Sequence, residues 1–431
     1  MNTAGKSTKT VKSAHRLINS IRHGETIVNR IESLAVLSDE PGKLTRLYLG
    51  PAHRLAATQV AAWMHAAGMT VRLDSVATVV GRYEGEAPDM PALLLGSHID
   101  TVRNAGRFDG TLGVLAAIAV VEKLHADGRR LPFAIEVVAF GDEEGVRYPG
   151  TLTGSRALAG RFDPQVLDEV DRDGISRREA LMAFGCDVSQ IAAEARDAGR
   201  ILGYLEVHIE QGPVLENENL PVAVVAAISG ATRGTVTVAG VGGHAGTVPM
   251  ELRRDALVAA AEMVIAVERM AASAADLVAT VGMFDIPDGA VNAVPGVAVF
   301  SIDVRSPSDA TRKNALSMLQ REFEAIARRR SVELKIDLSY DAPAAVCDPR
   351  LTAALSTAIT RSGVELRHLP SGAGHDAMAF KDKFPFAMLF VRCRGGVSHD
   401  PAEFAALDDI DIAANVLVDC IQHFDPTHGA D

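Results

Sequence analysis

Cysteine is scarce in this chain: Cys186, Cys347, Cys393 and Cys420 are scattered through 431 residues and form no CxxC pair. That excludes a disulfide framework and a thiolate metal site, so any metal ligands must come from His, Asp and Glu. No apolar run approaches the length that crosses a bilayer, and the basic start MNTAGKSTKTVKSAHR lacks the apolar middle of a secretory signal. A cytoplasmic protein with no membrane partner is expected, with residues 1–20 as a flexible tail. Basic clusters interleaved with aromatics are also missing, and a formal net charge of −12 repels phosphate backbones, which argues against nucleic acid as a partner. The densest basic run, Arg328 to Arg330, closes a helical pattern and reads as a solvated helix terminus. Low-complexity linkers and internal repeats are absent. The length exceeds what one hydrophobic core usually organises, so two domains are expected.

What is present is an alternation of apolar strands and helices. PALLLGSHID reads as a buried strand, TLGVLAAIAVVEKLHADG as a helix and FAIEVVAFGDEEG as a second buried strand, a βαβ unit. Such a crossover makes the strands parallel, so His98 and the pair Glu143 and Glu144 converge on one sheet edge, where open α/β sheets bind ligands. YLEVHIEQG alternates apolar and polar residues and predicts a half-buried strand with His208 on its polar side. From about 222 to 339 the order becomes strand (AVVAAISGATRGTVTVAG), helix (255–272), two strands, helix (308–330) and strand, the ferredoxin-like arrangement. The expected organisation is therefore an α/β domain with a mixed, largely parallel sheet over 21–218 and 340–431. It is interrupted by an α+β domain over 219–339.

Within the α/β part, His98, Asp109, Glu144, His208 and His399 each fall at a predicted strand end or in the loop after it. Imidazoles with carboxylates suit Zn²⁺, Mn²⁺ or Co²⁺ better than the all-oxygen shells of Ca²⁺ and Mg²⁺. Five ligands exceed one open tetrahedral site and suit two metals sharing a carboxylate. Asp100 is placed to accept the other ring N–H of His98. Of two adjacent glutamates, one can ligate while its neighbour serves as a base. An acidic loop with no function remains the simpler reading of DEEG taken alone.

These segments also carry a resemblance. GSHIDTV, GRFDGTLGVLAA, DEEGVRYPGTLTGS, VHIEQGPVLE, GGHAGTVPM, VNAVPG, IDVR, SGAGHDA and GVSHDPAE, in this order from about residue 25 to 423, resemble the amidase, hydantoinase/carbamoylase family of aminoacylase-like dinuclear metallohydrolases. The resemblance implies that His98 and His208 hold one metal and Glu144 and His399 the other, with Asp109 bridging and Glu143 as general base. It further implies substrate contacts from Gln211, His244, Asn292 and Arg305, with Ser371, Gly372, Gly374 and His375 lining the pocket. A homodimer formed through the inserted domain is implied as well. Without the resemblance, Arg305 would be a surface residue in a salt bridge, Asn292 a turn residue and His244 loop punctuation.

The implied reaction is hydrolysis of a ureido or carbamoyl C–N bond in a small carboxylate. Glu143 takes the water proton and returns it to the leaving nitrogen, His244 stabilises the oxyanion, and Arg305 grips the carboxylate with two parallel hydrogen bonds. DEEGVRY resembles the allantoate-hydrolysing members, which points to allantoate cleavage to ammonia and carbon dioxide by way of ureidoglycine, within ureide catabolism. N-carbamoyl-L-amino acid hydrolase and β-ureidopropionase remain alternatives. A metallo-exopeptidase or N-acyl amino acid deacylase is a more distant one.

Overall fold

The computed structural model describes residues 23–427, so the expectation of a tail over 1–20 lies outside the described residues. From the amino end come α1 (His23–Ala35), α2 (Pro51–Ala66), β1 (Thr70–Leu73), β2 (Val79–Tyr83), β3 (Ala92–His98), α3 (Thr111–Ala126) and β4 (Ala134–Phe140). Short helices α4 (Thr153–Leu158) and α5 (Arg177–Ala183) precede β5 (Ile201–Ile209), α6 (Val214–Glu218) and β6 (Val222–Ile228). A second unit follows: β7 (Gly230–Ala239), β8 (Gly243–His244), α7 (Ala256–Ala272), β9 (Val278–Thr280), β10 (Phe284–Asp285), β11 (Ala293–Val294), β12 (Val297–Ser306), α8 (Asp309–Arg330) and β13 (Glu333–Ala342). The chain closes with β14 (Ala345–Val346), α9 (Pro349–Arg361), β15 (His368–Ser371), β16 (Phe386–Val391) and α10 (Leu407–Gln422).

The large sheet is mixed, in the order β1-β2-β4-β3-β5-β16-β6-β14, with β15 beside β6. Its centre, β4-β3-β5-β16, is parallel throughout, and antiparallel pairs flank it on both sides. Every residue of β3, β4 and β16 is buried, which is why these strands read as continuous apolar runs. Helices α1, α3, α9 and α10 pack on one another and on the sheet. Helix α3 is apolar on all sides because it lies between sheet and neighbouring helices.

Strand β5 differs from expectation. It is central rather than half-exposed, so Glu206 and His208 are buried along with the apolar residues around them. The alternation in the sequence reflects internal partners on one face: Ser97 Oγ donates to Glu206 Oε1 at 2.7 Å, and His208 Nε2 lies 3.0 Å from Asp109 Oδ1.

The smaller sheet runs β10-β12-β7-β13 with β9 also on β12, all antiparallel. Helices α7 and α8 cover one face around Val236, Val238, Phe300, Ile302 and Phe323, the ferredoxin-like order. The single strand expected over 222–240 divides at Ser229, since Val222 to Ile228 pair in the large sheet and alternation begins only with β7. At the end of α8, Arg329 and Arg330 pair with Glu262 of α7, so the basic run joins two helices rather than only facing solvent.

Candidate metal centre

The parallel register determines what meets at the carboxyl edge of the large sheet. His98 ends β3 opposite Phe140, so Asp142, Glu143 and Glu144 emerge beside it. His208 lies opposite Phe390, and the loop after β16 returns His399 to the same place. Asp109 immediately precedes Gly110, the residue that caps α3. At Gly110, φ is +62°, and a Cβ there would come within 2.4 Å of the His98 ring, so the close approach of loop to imidazole requires glycine.

Two of the candidate donor sets share Asp109, His98–Asp109–His208 and Asp109–Glu144–His399; His98–Glu143–Glu144 and Glu206–His208–His375 also converge. His98 Nε2 and His208 Nε2 lie 3.4 and 3.0 Å from Asp109 Oδ1, while His399 Nε2 lies 3.3 Å from Asp109 Oδ2 and 3.4 Å from Glu144 Oε2. The Nδ1 atoms of His98 and His208 face the backbone oxygens of Asp100 and Ile209 at 3.0 and 2.9 Å. Those contacts assign the proton to Nδ1 and leave both Nε2 lone pairs aimed inward, as metal ligation requires. Among the described residues, each set brings three ligand atoms within 4.8 Å of one another, so the donors fit a divalent ion.

Asp100 acts differently from the sequence expectation. Its carbonyl meets His98, and its carboxylate, 3.5 Å from Nδ1, accepts the backbone N–H groups of Glu143 and Glu144 at 3.2 Å each. It thereby joins the histidine to the acidic loop. Glu143 stands 4.0 Å from His98 Nε2 and shares a candidate ligand group with His98 and Glu144.

The charges are strongly interdependent. Burial opposes an imidazolium at His98, yet Asp100 and Asp109 outweigh it and raise the pKa. Burial would raise Asp109, but His208, His399 and His98 hold it well below the usual carboxylate range. Burial and then Asp109 push Glu144 up to about 7, while contact with Asp109 takes His399 to about 9 against the effect of burial. Burial raises Glu143 well above its ordinary value; His98 opposes the rise and Glu144 adds to it. A cation between these carboxylates would relieve their repulsion.

Other expected residues divide into two groups. Gln211 Nε2 donates to Asp109 Oδ2 at 2.9 Å, and the His375 ring packs against His208 with Nε2 2.7 Å from Ser371 Oγ. Arg305 reaches the adjacent loop, donating from Nη1 to Gly372 O at 2.7 Å, but its Nε and Nη2 are engaged by Asp303 at 2.8 Å. Gly374 lies in the same loop. His244 and Asn292 are neighbours on the exposed β8–β11 ribbon and contact none of the metal-donor residues. Arg147 of the DEEGVRY segment donates to Tyr48 O and Asp171, so it braces the loop rather than facing the donor sets.

Two residues of the site were missed. Glu403 Oε1 accepts the N–H groups of Phe108 and Asp109, and Ser398 Oγ lies 2.9 Å from both Asp109 Oδ2 and Glu403 Oε2. Both lie within the GVSHDPAE segment, but only the fold reveals their reach to Asp109.

The sheet edge, with candidate donor sets that share Asp109 and Glu143 close by, has the make-up of a metal-dependent hydrolase centre on an α/β scaffold. The chain belongs to Peptidase family M20/M25/M40, whose model matches residues 94–423. It is 38% identical to an allantoate deiminase of Arabidopsis thaliana, covering 96% of this chain and 85% of that one. It is also 38% identical to an N-carbamoyl-L-amino-acid amidohydrolase of a Pseudomonas species, covering 91% and 96%. A crystal structure of an amidase of the hydantoinase/carbamoylase family from Burkholderia multivorans superposes with a TM-score of 0.87 at 33% identity, covering 92% and 97%.

Proposed function

We propose that the chain is a metal-dependent amidohydrolase that cleaves the ureido or carbamoyl C–N bond of a small carboxylate, with allantoate as the leading substrate. The carrying observation is the sharing of Asp109 between the His98–His208 and Glu144–His399 sets with Glu143 alongside. That arrangement supports two divalent ions per chain, Zn²⁺, Mn²⁺ or Co²⁺. Bound there, they would polarise the scissile carbonyl and lower the pKa of the attacking water. Glu143 accepts the proton of that water and delivers it to the leaving nitrogen.

Arg305 orients the substrate carboxylate, with Gln211, Asn292 and the 371–375 loop lining the pocket. His244 supports the developing oxyanion. Its exposure on a ribbon of the inserted unit supports delivery from the partner subunit of a homodimer. The exposed Val258 and Ile265 on α7, with Met250 and Leu252 nearby in sequence, support an apolar contact made through that unit. Four buried, unpaired cysteines support a cytoplasmic location.

N-carbamoyl-L-amino acids form the second reading, favoured by a relative of equal identity. Peptide hydrolysis is the competing class, since the family model bears a peptidase name. Steady-state rates on allantoate, N-carbamoyl-L-amino acids, β-ureidopropionate and dipeptides, with Mn²⁺ or Zn²⁺ supplied, decide among them. Turnover of ureido carboxylates with dipeptides inert is expected; preferential dipeptide cleavage overturns the proposal.

A further inference from the structure

The segment 160–200, between α4 and β5, contributes none of the residues assigned above, yet it sends a fully buried guanidinium toward the acidic loop. Arg177 of α5 has no solvent exposure. Its Nη1 donates to Asp142 Oδ2 and to Thr153 Oγ1, and its Nη2 donates to Gly150 O at 3.1 Å and Glu169 Oε2 at 2.7 Å. The guanidinium carbon sits 4.7 Å from the centre of the Tyr148 ring. One side chain thus ties the beginning of the 142–153 loop to its end, and the residues between include Glu143 and Glu144.

The loop needs such a tie. Asp142 is a fully buried, non-glycine residue at φ +66°, a conformation that costs about 1–3 kcal/mol unless its surroundings enforce it. The turn is closed by Leu152 N–H to Asp142 O at 2.6 Å. On one side Asp100 holds the N–H groups of Glu143 and Glu144. On the other, the segment supplies Glu169 to Gly150 N–H at 3.1 Å, Asp171 to Arg147 at 3.0 Å, and Arg177 to both loop ends. The fully buried guanidinium thus lies against the fully buried Asp142 carboxyl and the partly exposed Glu169 carboxylate.

We propose that Arg177 is a positioning residue for the proposed reaction: by clamping the two ends of the 142–153 loop it fixes Glu143 relative to the donor sets. The inference rests on the reading of Glu143 as the base. A planar fork that reaches Asp142, Gly150 and Glu169 together cannot be replaced by the point charge of lysine. A base displaced by about 1 Å loses on the order of 10²-fold in rate, while substrate groups held by other elements keep their contacts.

Two variants test this on the metal-loaded enzyme. Arg177→Lys keeps the charge opposite Asp142, and Arg177→Met combined with Asp142→Asn removes both members of the fully buried pair, leaving only the partly exposed Glu169 without its cation. Rates are referred to the folded fraction that carries metal, so lost fold or lost metal does not count as lost positioning. The expected result is kcat lowered by about 10- to 100-fold with KM within about twofold, together with faster amide hydrogen exchange confined to 142–153. Unchanged kcat per loaded, folded molecule, or exchange unaltered in that loop, overturns the proposal. If the unaltered protein hydrolyses no ureido carboxylate, the functional reading fails, while the exchange measurement still decides whether Arg177 clamps the loop.

Discussion

Asp142, Gln211 and His399 all have φ near +60°, so the backbone is strained at the acidic loop, beside Asp109 and at a proposed ligand. None of this was legible in the sequence, because these residue types have no fixed need for a left-handed backbone. The convergence was legible: His98 and His208 lie at the carboxyl ends of β3 and β5, Asp109 just before α3, and Glu144 and His399 in the loops after β4 and β16, and the parallel register brings them together. The proposed division of labour between Glu143 and Glu144 rests on distance, Glu144 meeting His399 at 3.4 Å while Glu143 stands 4.0 Å from His98. Glu143→Gln is expected to retain both metals and lower kcat by at least about 10²-fold, whereas Glu144→Gln loses a metal, as elemental analysis beside steady-state rates checks. Reversed behaviour exchanges the two roles. The raised pKa of His399, about 9, adds a pH dependence. In the metal-free protein its stabilising contribution is complete below about pH 6.5 and is lost as pH rises through 9. Metal requires the neutral ring, so apparent affinity is expected to rise with pH up to about 9, with proton release measurable by titration calorimetry in buffers of different ionisation enthalpy.

At the scale of elements, periodicity served well for strands buried on both faces and for the capped helices. Helices α7 and α8 begin just after the capping residues Asp255 and Ser308, whose side chains accept from Val258 N–H and Thr311 N–H. Periodicity misled in β5, where polar residues satisfied inside the protein imitate a solvent-facing stripe. It also failed at Ser229, where one apolar run serves two sheets. Strand β12 alternates buried and half-buried residues, and Asp303 and Arg305 fall on the half-buried face away from the small core. Asp303 engages Nε and Nη2 of Arg305, so the carboxylate contact proposed for it is left to the Nη1 side, where Gly372 O sits. Arg305→Lys replaces that oriented fork by a point charge and is expected mainly to raise KM for carboxylate substrates. An unchanged KM removes Arg305 from substrate binding.

Across the whole molecule, the large sheet brings every proposed metal ligand together at one edge, while His244 and Asn292 remain on the exposed β8–β11 ribbon. The proposed completion of the site by a partner subunit would account for that separation. Mixing inactive Glu143→Gln and His244→Ala chains is then expected to restore roughly a quarter of the unaltered activity at equal mixing, with one competent site in each of the half of dimers that are mixed. No recovery, with subunit exchange established independently, places His244 in cis or outside catalysis. The central claim is the shared Asp109, and metal stoichiometry tests it most directly. Metal-free enzyme titrated with Mn²⁺ or Zn²⁺ while ureido hydrolysis is followed is expected to reach full activity at two equivalents per chain. Full activity at one equivalent, or activity persisting after complete chelation, would contradict the account.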